Sequence, residues 1–371
     1  MQMKRKTQSE LNRRNFLLGG AAAAAALAGC SSDTEESVGG KLRASDVKRF
    51  AKACGADICR IGSMDGWEGA PKQLDPRYIF PDAKSIIGLG FRIPRGYLRG
   101  IEEGTFFSVY EFMGYSGMNG RYMPHVLRQI VCFIEDHGYE AVPIPNWDAF
   151  SYNHYSDYAN EKYRNKKDAF RSRPVAPGLP CPDVTVSFRV AAVVSNLGEI
   201  GWSKMVLTPE FGPLVRVAYI ITEAELEYDE PVTGLCDRCK LCAKMCPAHA
   251  IPTDKSVTFK ANGKTYEHCD LDIPRCSNAY SGGVKEFNPF WDPKVDIENP
   301  NYMNEYLSPS YYGSPRGTGG PCPRIMHVRN NPAIGGGRGC LRACYSHLES
   351  QGKLTHKFAK PFKRHKEWKL T

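Results

Sequence analysis

The sequence lacks a long hydrophobic run. Its apolar stretch, Phe16–Ala28, covers thirteen residues, too few to cross a bilayer as a stable helix. It also lacks a strong charge imbalance. The formal net charge is +9, but residues 1–29 hold five Lys/Arg against one Glu, so about +5 remains on the other 342 residues. That balance argues against nucleic acid as a partner. No internal repeat of useful length occurs apart from a partial echo among the cysteines. A chain of this size without repeats forms one large core with an appended module, or two domains.

What is present begins with an address. Lys4, Arg5 and Lys6 make a basic start, and Asn12-Arg13-Arg14-Asn15-Phe16-Leu17-Leu18 resembles a twin-arginine export signal. Leu27-Ala28-Gly29-Cys30 resembles a lipobox, in which Cys30 would be acylated; the alternative is an ordinary cleaved signal. Residues 1–29 are therefore read as the signal peptide. Residues 30–43, in which Ser31–Gly40 is polar, acidic and glycine-ended, are read as a flexible linker. A protein on this route faces the periplasm or the outer side of the cytoplasmic membrane, held peripherally through the Cys30 lipid. The route carries folded proteins, so a cofactor inserted in the cytoplasm survives the crossing.

Fourteen cysteines are present, and four carry most of the chemistry. Cys236, Cys239, Cys242 and Cys246 stand as C-x2-C-x2-C-x3-C, followed by Pro247. This is the bacterial ferredoxin spacing for [4Fe–4S] ligation, in which the fourth cysteine serves a second cluster. A zinc knuckle would pair C-x2-C with a distant second pair. The final C-x3-C recurs as Cys340-Leu341-Arg342-Ala343-Cys344, with Tyr345 in place of proline and Gly337 where a further cysteine would stand. The remaining ligands of a second cluster must come from elsewhere, Cys276 and Cys322 first and Cys269 third. By cross-ligation Cys344 joins Cys236, Cys239 and Cys242, while Cys246 and Cys340 join two upstream cysteines. A single cluster closed by Cys344 or Cys246 is the alternative. Cys132 falls in a helical pattern and reads as a small buried apolar residue. Cys54, Cys59 and Cys181 have no assigned partner.

Between the linker and this module, residues 44–225 read as mixed α/β. Ser45 caps a helix through Cys54, with Gly55 as its stop. Ala56–Ile61, Ser85–Phe91 and Pro213–Thr222 are predicted strands. Val126, Ile130, Phe133 and Ile134 recur at helical spacing before Gly138, and Ser187–Ser195 is a further predicted helix. Residues 253–338, rich in Asn, Pro, Gly and Tyr with little periodicity, read as irregular functional loops or a cofactor cover. Metal bonds can order such a segment. The basic tail, His356–Leu370, is a solvated surface or a contact for an acidic redox partner or anionic lipid.

Three words carry a family likeness: Asn196-Leu197-Gly198-Glu199-Ile200-Gly201, then Thr208-Pro209-Glu210-Phe211-Gly212, then Val215-Arg216. With the cysteine module behind them they resemble respiratory reductive dehalogenases and, in a shorter form, epoxyqueuosine reductases. The resemblance implies a nitroreductase-like α/β (α+β) domain over residues 44–225 that holds a base-off cobalamin. A ferredoxin-like module with two [4Fe–4S] clusters then follows over residues 226–371. It implies an organohalide substrate and a membrane electron donor. It places a proton-donating tyrosine at Tyr155 or Tyr158, its cationic support at Arg216 and a polar residue near the cobalt face at Asp183. Gly198 and Gly201 would admit a corrin tail or close a tight turn. From the residues alone, a guanidinium in so apolar a strand needs an anionic or phenolic partner. Beside a tyrosine it favours the phenolate; Asp183 or Glu199 would serve equally as an ion-pair partner. Departures from the family pattern are a shorter chain, the degenerate second motif and Ser195-Asn196-Leu197-Gly198 in place of the usual AGLG word. An iron–sulfur electron-transfer protein without cobalamin is the rival reading. An epoxyqueuosine-type reductase is disfavoured because its nucleic-acid substrate is cytosolic.

Overall fold

The computed structural model describes residues 41–146, 174–182, 184–280, 284–289, 338–363 and 368–370. A four-stranded antiparallel sheet lies at its centre, in the order β1 (Ile58–Ser63), β2 (Ser85–Arg92), β6 (Val215–Thr222), β3 (Ala141–Ile144). Helices α1 (Ala44–Cys54) and α2 (Met123–Asp136) cover one face. Helix α3 (Phe188–Val194) covers the other. Because both faces are covered, β2 is buried at every position but its last, and its sequence is a continuous apolar run rather than an alternating one.

The element boundaries follow local chemistry. α1 ends at Gly55, whose φ of 112° is the left-handed cap glycine allows. Its N-terminus lies two residues earlier than predicted: Arg43 is the cap, without a side-chain bond, so Ser45 does not cap it. α3 gives way to Asn196 at φ +58°, a conformation asparagine tolerates. The Asn196 amide donates to the Asp229 carbonyl at 2.8 Å. The departure from the AGLG word is thus a helix terminus that ties down the chain beyond β6.

Two features position the site. The first is residues 108–122, a single α-turn (Ser108–Glu111) continued by π-helical turns over Phe112–Ser116 and Met118–Tyr122 that feed into α2. Such widened turns recur where a helix must re-aim side chains. The second is the module after β6. Short helix α4 (Leu241–Lys244) follows the cysteine loop. The hairpin β7 (Ser256–Ala261)–β8 (Lys264–Cys269) comes next, then α5 (Ile273–Tyr280), and after residue 338 α6 (Cys340–Ser350). The hairpin and α5 fall inside the segment predicted to be irregular. Its turn is Asn262-Gly263, both at positive φ (48° and 68°), the two-residue geometry that matches strand twist.

A shared core crosses the predicted boundary at 225/226. Ile93, Leu98, Ile101 and Leu214 pack with Leu341, Tyr345 and Leu348. Within it the Arg342 guanidinium meets Glu102 at 3.2 Å, with the two side chains 3% and 1% exposed. No helix among the described residues is long and apolar enough to cross a membrane.

Candidate metal centre and the adjoining tyrosine site

The cysteine loop is built by its backbone. Arg238 and Lys240 adopt φ of +58° and +60° while the residues between and beside them do not. Alternating hand of this kind curls a chain around a concavity and turns its N–H groups inward, a geometry found at anion and iron–sulfur sites. The main-chain N–H groups of Leu241 and Ala243 face the thiols of Cys239 and Cys242. Those of Trp202 and Ala250 donate to the Cys236 and Cys246 sulfurs at 3.3 and 3.4 Å. Glu199 anchors the loop: its two carboxylate oxygens accept the N–H groups of Leu235 at 3.0 Å and Cys236 at 2.5 Å. Arg216 and Glu199 therefore do not form the predicted ion pair. Asp237 accepts from Cys239 N–H at 3.1 Å and from His347 and Gln351, both at 2.7 Å. Burial works against its charge, but these hydrogen bonds hold its carboxyl below the usual carboxylate range.

The thiols fall into two groups. Cys344 faces Cys236, Cys242 and Cys239. Cys340 faces Cys276 and Cys246, and Cys269 faces Cys242 first and then Cys276, so Cys242 borders both groups. α6 therefore supplies one thiol to each group from a single turn. Its first residue is seated by Gly339, where any Cβ would strike the Met245 carbonyl and the Pro247 ring. Cys269 is fully buried at the end of β8 and packs with Cys242, Cys246, Cys276 and Cys340. Cys322 lies outside the described residues. No two described cysteines are joined by a disulfide.

This donor set fits a metal cluster. Burial pushes the Cys242 thiol up to about 11 and Cys269 to about 12, and raises Cys340 and Cys344 further. So many buried thiols, with N–H groups aimed at several, suit a bound cation that draws off their protons. One smaller constellation shares a ligand with the first group. Donor atoms of Asp237, Cys239 and His347 lie within 4.8 Å of one another.

Arg216 sits on β6 opposite Phe91 and, by strand parity, on the face of Ala218 and Ile220. Its Nε donates to the Gly114 carbonyl at 2.8 Å and a terminal nitrogen meets the Tyr110 hydroxyl at 3.2 Å. The guanidinium lies 4.4 Å from the Tyr115 ring centre, and Tyr280 of α5 completes the surround. Burial opposes its charge, but the hydroxyls of Tyr110, Tyr280 and Tyr115 more than offset that. A phenolic partner was expected; the residues that fill the role here are Tyr110, Tyr115 and Tyr280. Tyr155, Tyr158 and Asp183 lie outside the described residues. The expected preference for phenolate does not hold at Tyr280: burial first, then Tyr115 and Tyr110, raise it well above the usual phenol value despite Arg216.

Sequence reasoning also missed Glu111, which follows Tyr110 in the chain and whose charge bears on Tyr280. It is 1% exposed and neither carboxylate oxygen has a hydrogen-bond partner. Burial raises its carboxyl to about 7. Gly198 and Gly201 flank β4 (Glu199–Ile200), which pairs with β5 (Val206–Leu207). A Cβ at Gly198 would strike the Leu207 carbonyl, and one at Gly201 would press on the Leu207 side chain.

Parts of the chain are similar to known proteins. Residues 10–29 match the twin-arginine translocation pathway signal sequence. The tetrachloroethene reductive dehalogenase of Desulfitobacterium hafniense is 31% identical over 171 residues, 42% of this chain and 31% of that protein. That of Sulfurospirillum multivorans is 41% identical over 73 residues, 19% of this chain and 14% of its own length. An epoxyqueuosine reductase of Synechococcus sp. (strain CC9605) is 35% identical over 80 residues, 21% of this chain and 25% of its own. A solved reductive dehalogenase structure, titled as suggesting a mechanism for B12-dependent dehalogenation, aligns over 72% of this chain and 34% of that one. Its identity is 18% and its TM-score 0.42. Over these stretches the chain is similar to reductive dehalogenases and to epoxyqueuosine reductases. It spans about a third of the length of the dehalogenase it matches over 171 residues.

Proposed function

We propose that this chain is an exported iron–sulfur, corrinoid-dependent reductase that removes halide from an organohalide. The observation that carries the reading is the gathering of eight cysteines from three separate segments into one neighbourhood. Cys236, Cys239, Cys242 and Cys344 would hold one [4Fe–4S] cluster. Cys246, Cys340, Cys276 and Cys269 would hold the other, with Cys269 taking the place first given to Cys322. Domain limits at 29, 43 and 225, a membrane-bound electron donor and a lipid on Cys30 belong to the same proposal.

Bound cobalamin would supply the low-potential metal that reduces the carbon–halogen bond. The Tyr280 hydroxyl, buried without a hydrogen-bond partner of good geometry, and the Asn119 carbonyl oxygen, likewise orphaned, are polar atoms that a bound group could satisfy. The chain's own residues do the rest. Two electrons and one proton convert R–X to R–H and halide. A neutral phenol beside Arg216 can give that proton, and the guanidinium offsets the charge left on its oxygen. The family resemblance gives this part to Tyr155 or Tyr158, with Asp183 as an accompanying polar residue. Walls from residues 108–122 and α5 keep water from the site.

The test is cofactor content after anaerobic reconstitution of the exported chain. Two cubanes give about eight irons, and uptake of one corrinoid with halide release from a haloalkene or halophenol supports the proposal. Iron without corrinoid uptake would select the electron-transfer reading. Zinc in place of iron, held by Asp237, Cys239 and His347, would end both.

A further inference from the structure

The reductase reading gives no role to a cleft at the C-terminal end of β2, between that strand and the basic tail. The start of the tail is docked rather than free. Thr355 and His356 donate their main-chain N–H groups to the Pro209 and Glu210 carbonyls at 2.8 and 3.3 Å. Arg95 pins the next turn. Its guanidinium donates to the Lys360 carbonyl at 3.2 Å, meets Glu349 of α6 at 2.8 Å and lies 3.8 Å from the Phe358 ring centre. The cleft left between tail and strand measures about 170 Å³. That is below the roughly 300–1,000 Å³ of sites for drug-sized ligands, and it suits one small polar group.

The lining offers a cation, an acceptor and aromatic walls. Arg92 Nη1 donates to His356 Nε2 at 3.0 Å, and the guanidinium lies 5.7 Å from the Phe211 ring centre. Among the described residues no carboxylate pairs with it, so its charge is open to an anion. Glu210 meets Arg60 through Oε1 at 3.4 Å, while its Oε2 is buried without a hydrogen-bond partner. A buried acceptor is costly until a donor reaches it. A bare anion would answer Arg92 and be repelled by Glu210. A ligand carrying both a phosphate ester and hydroxyl groups answers both. The outer wall, Phe358, is 43% exposed, and Lys357, Lys360 and Lys363 beside it in the chain are exposed too. Basic side chains interleaved with an exposed ring suit an anionic lipid surface.

We propose that this cleft seats the headgroup of a phosphodiester lipid ending in a diol, phosphatidylglycerol, and so lays this face of the protein on the membrane. The phosphate rests on Arg92, a headgroup hydroxyl donates to Glu210 Oε2, and the tail lysines lie along the bilayer surface. The export signal at residues 10–29 brings the chain to the outer side of such a membrane. The inference goes beyond the reductase reading and stands whether or not the chain binds a corrinoid. It also differs from acylation at Cys30, which would tether the chain without choosing which face meets the lipid.

The experiment is vesicle co-sedimentation of the reconstituted exported chain carrying Cys30→Ser, so that no acyl group contributes. Vesicles contain phosphatidylcholine alone, or with phosphatidylglycerol, or with phosphatidylmethanol, a phosphodiester of the same charge without hydroxyls. The chain should bind both anionic vesicles, prefer phosphatidylglycerol about fivefold, the worth of one added hydrogen bond, and ignore phosphatidylcholine. Arg92→Gln should weaken both anionic lipids about tenfold, the loss of one charged contact. Glu210→Gln should remove most of the preference between them. Lys357→Gln/Lys360→Gln should weaken both equally and flatten the salt dependence. Far-ultraviolet circular dichroism and iron content check that each variant is folded. Binding to phosphatidylcholine as tight as to the anionic vesicles, or Arg92→Gln binding like the parent chain, overturns the proposal. So does equal affinity of the parent chain for phosphatidylglycerol and phosphatidylmethanol. Capture of free glycerophosphoglycerol without capture of vesicles would overturn the membrane in favour of a soluble ligand.

Discussion

Replacing Glu199 by alanine should detach the first metal group from the protein while leaving the sheet intact. The carboxylate spans 36 residues to accept the N–H groups of Leu235 and Cys236 at 3.0 and 2.5 Å. A hydrogen bond to an ionised acceptor contributes about 1.5–3 kcal/mol, so the two hold the start of the loop with at least about 3 kcal/mol. A tenfold change corresponds to about 1.4 kcal/mol, so the variant should lose iron from this group about a hundredfold faster. The chain elsewhere should not unfold, because Glu199 lies on the two-residue strand β4, outside the four-stranded sheet. Glutamine keeps the shape but offers one acceptor oxygen and no charge, so Glu199→Gln should fall between wild type and Glu199→Ala. The assay is iron release to a ferrous chelator, followed by the loss of visible absorption, with far-ultraviolet circular dichroism as the fold control. Release from all variants at the wild-type rate would show that the loop is held by the thiolates alone. Equal loss from both metal groups would show that Glu199 supports the whole module.

Other residues give sharper local outcomes. Cys269→Ser should cut bound iron from about eight to about four per chain by elemental analysis, whereas Cys132→Ser, remote from the thiol groups, should leave it unchanged. Arg342→Met takes from the buried Glu102 the guanidinium it meets at 3.2 Å. It should cost about 3–5 kcal/mol in chemical denaturation, whereas the double replacement Glu102→Leu/Arg342→Met should recover most of that. Glu111 gives a pH signature. A carboxyl raised in the folded state favours folding below its unfolded value, near 4.5, and that advantage is lost as pH rises through about 7. A shift of that size is worth about 3 kcal/mol, so wild-type stability should fall across this window and then level, and Glu111→Gln should remove the fall.

What the sequence disclosed, and what it hid, divides along a physical line. Regular elements with one dominant period were legible. α2 followed from Val126, Ile130, Phe133 and Ile134, and β6 from its apolar run, because burial against the sheet sets both patterns. The first thiol loop was legible because its ligands lie within eleven residues. The Tyr280 end of the site was not, because the fold brings α5 against residues 108–122 across more than 150 positions. Nor was β7–β8 seen, although Asn262-Gly263 was a turn signal in plain view. The alternation beside it is mostly exposed, so hydrophobicity alone did not mark it. Glu111 left no signal, since a buried carboxylate reads like any other until its surroundings are known.

The placement of α5 joins the two halves of the chemistry. Cys276 and Tyr280 stand four residues apart in a helix, so they project from one face a single turn from each other. Cys276 lies among the thiols of the second group, and the Tyr280 ring lies 5.6 Å from that of Tyr115, beside Arg216. A metal bound at Cys276 would fix the register of this helix and with it the Tyr280 hydroxyl. The helix is short, eight residues, below the length at which propensity alone stabilises one. Its order must come from its ends, one held by Cys269 and Cys276 and the other by the tyrosine cage. Loss of a metal group at Cys276 should therefore loosen the Arg216 surround as well. In Cys276→Ser, the infrared band of the Glu111 carboxyl should shift toward the ordinary carboxylate range as water enters. A band that stays in place while iron falls would show that the two sites are only neighbours.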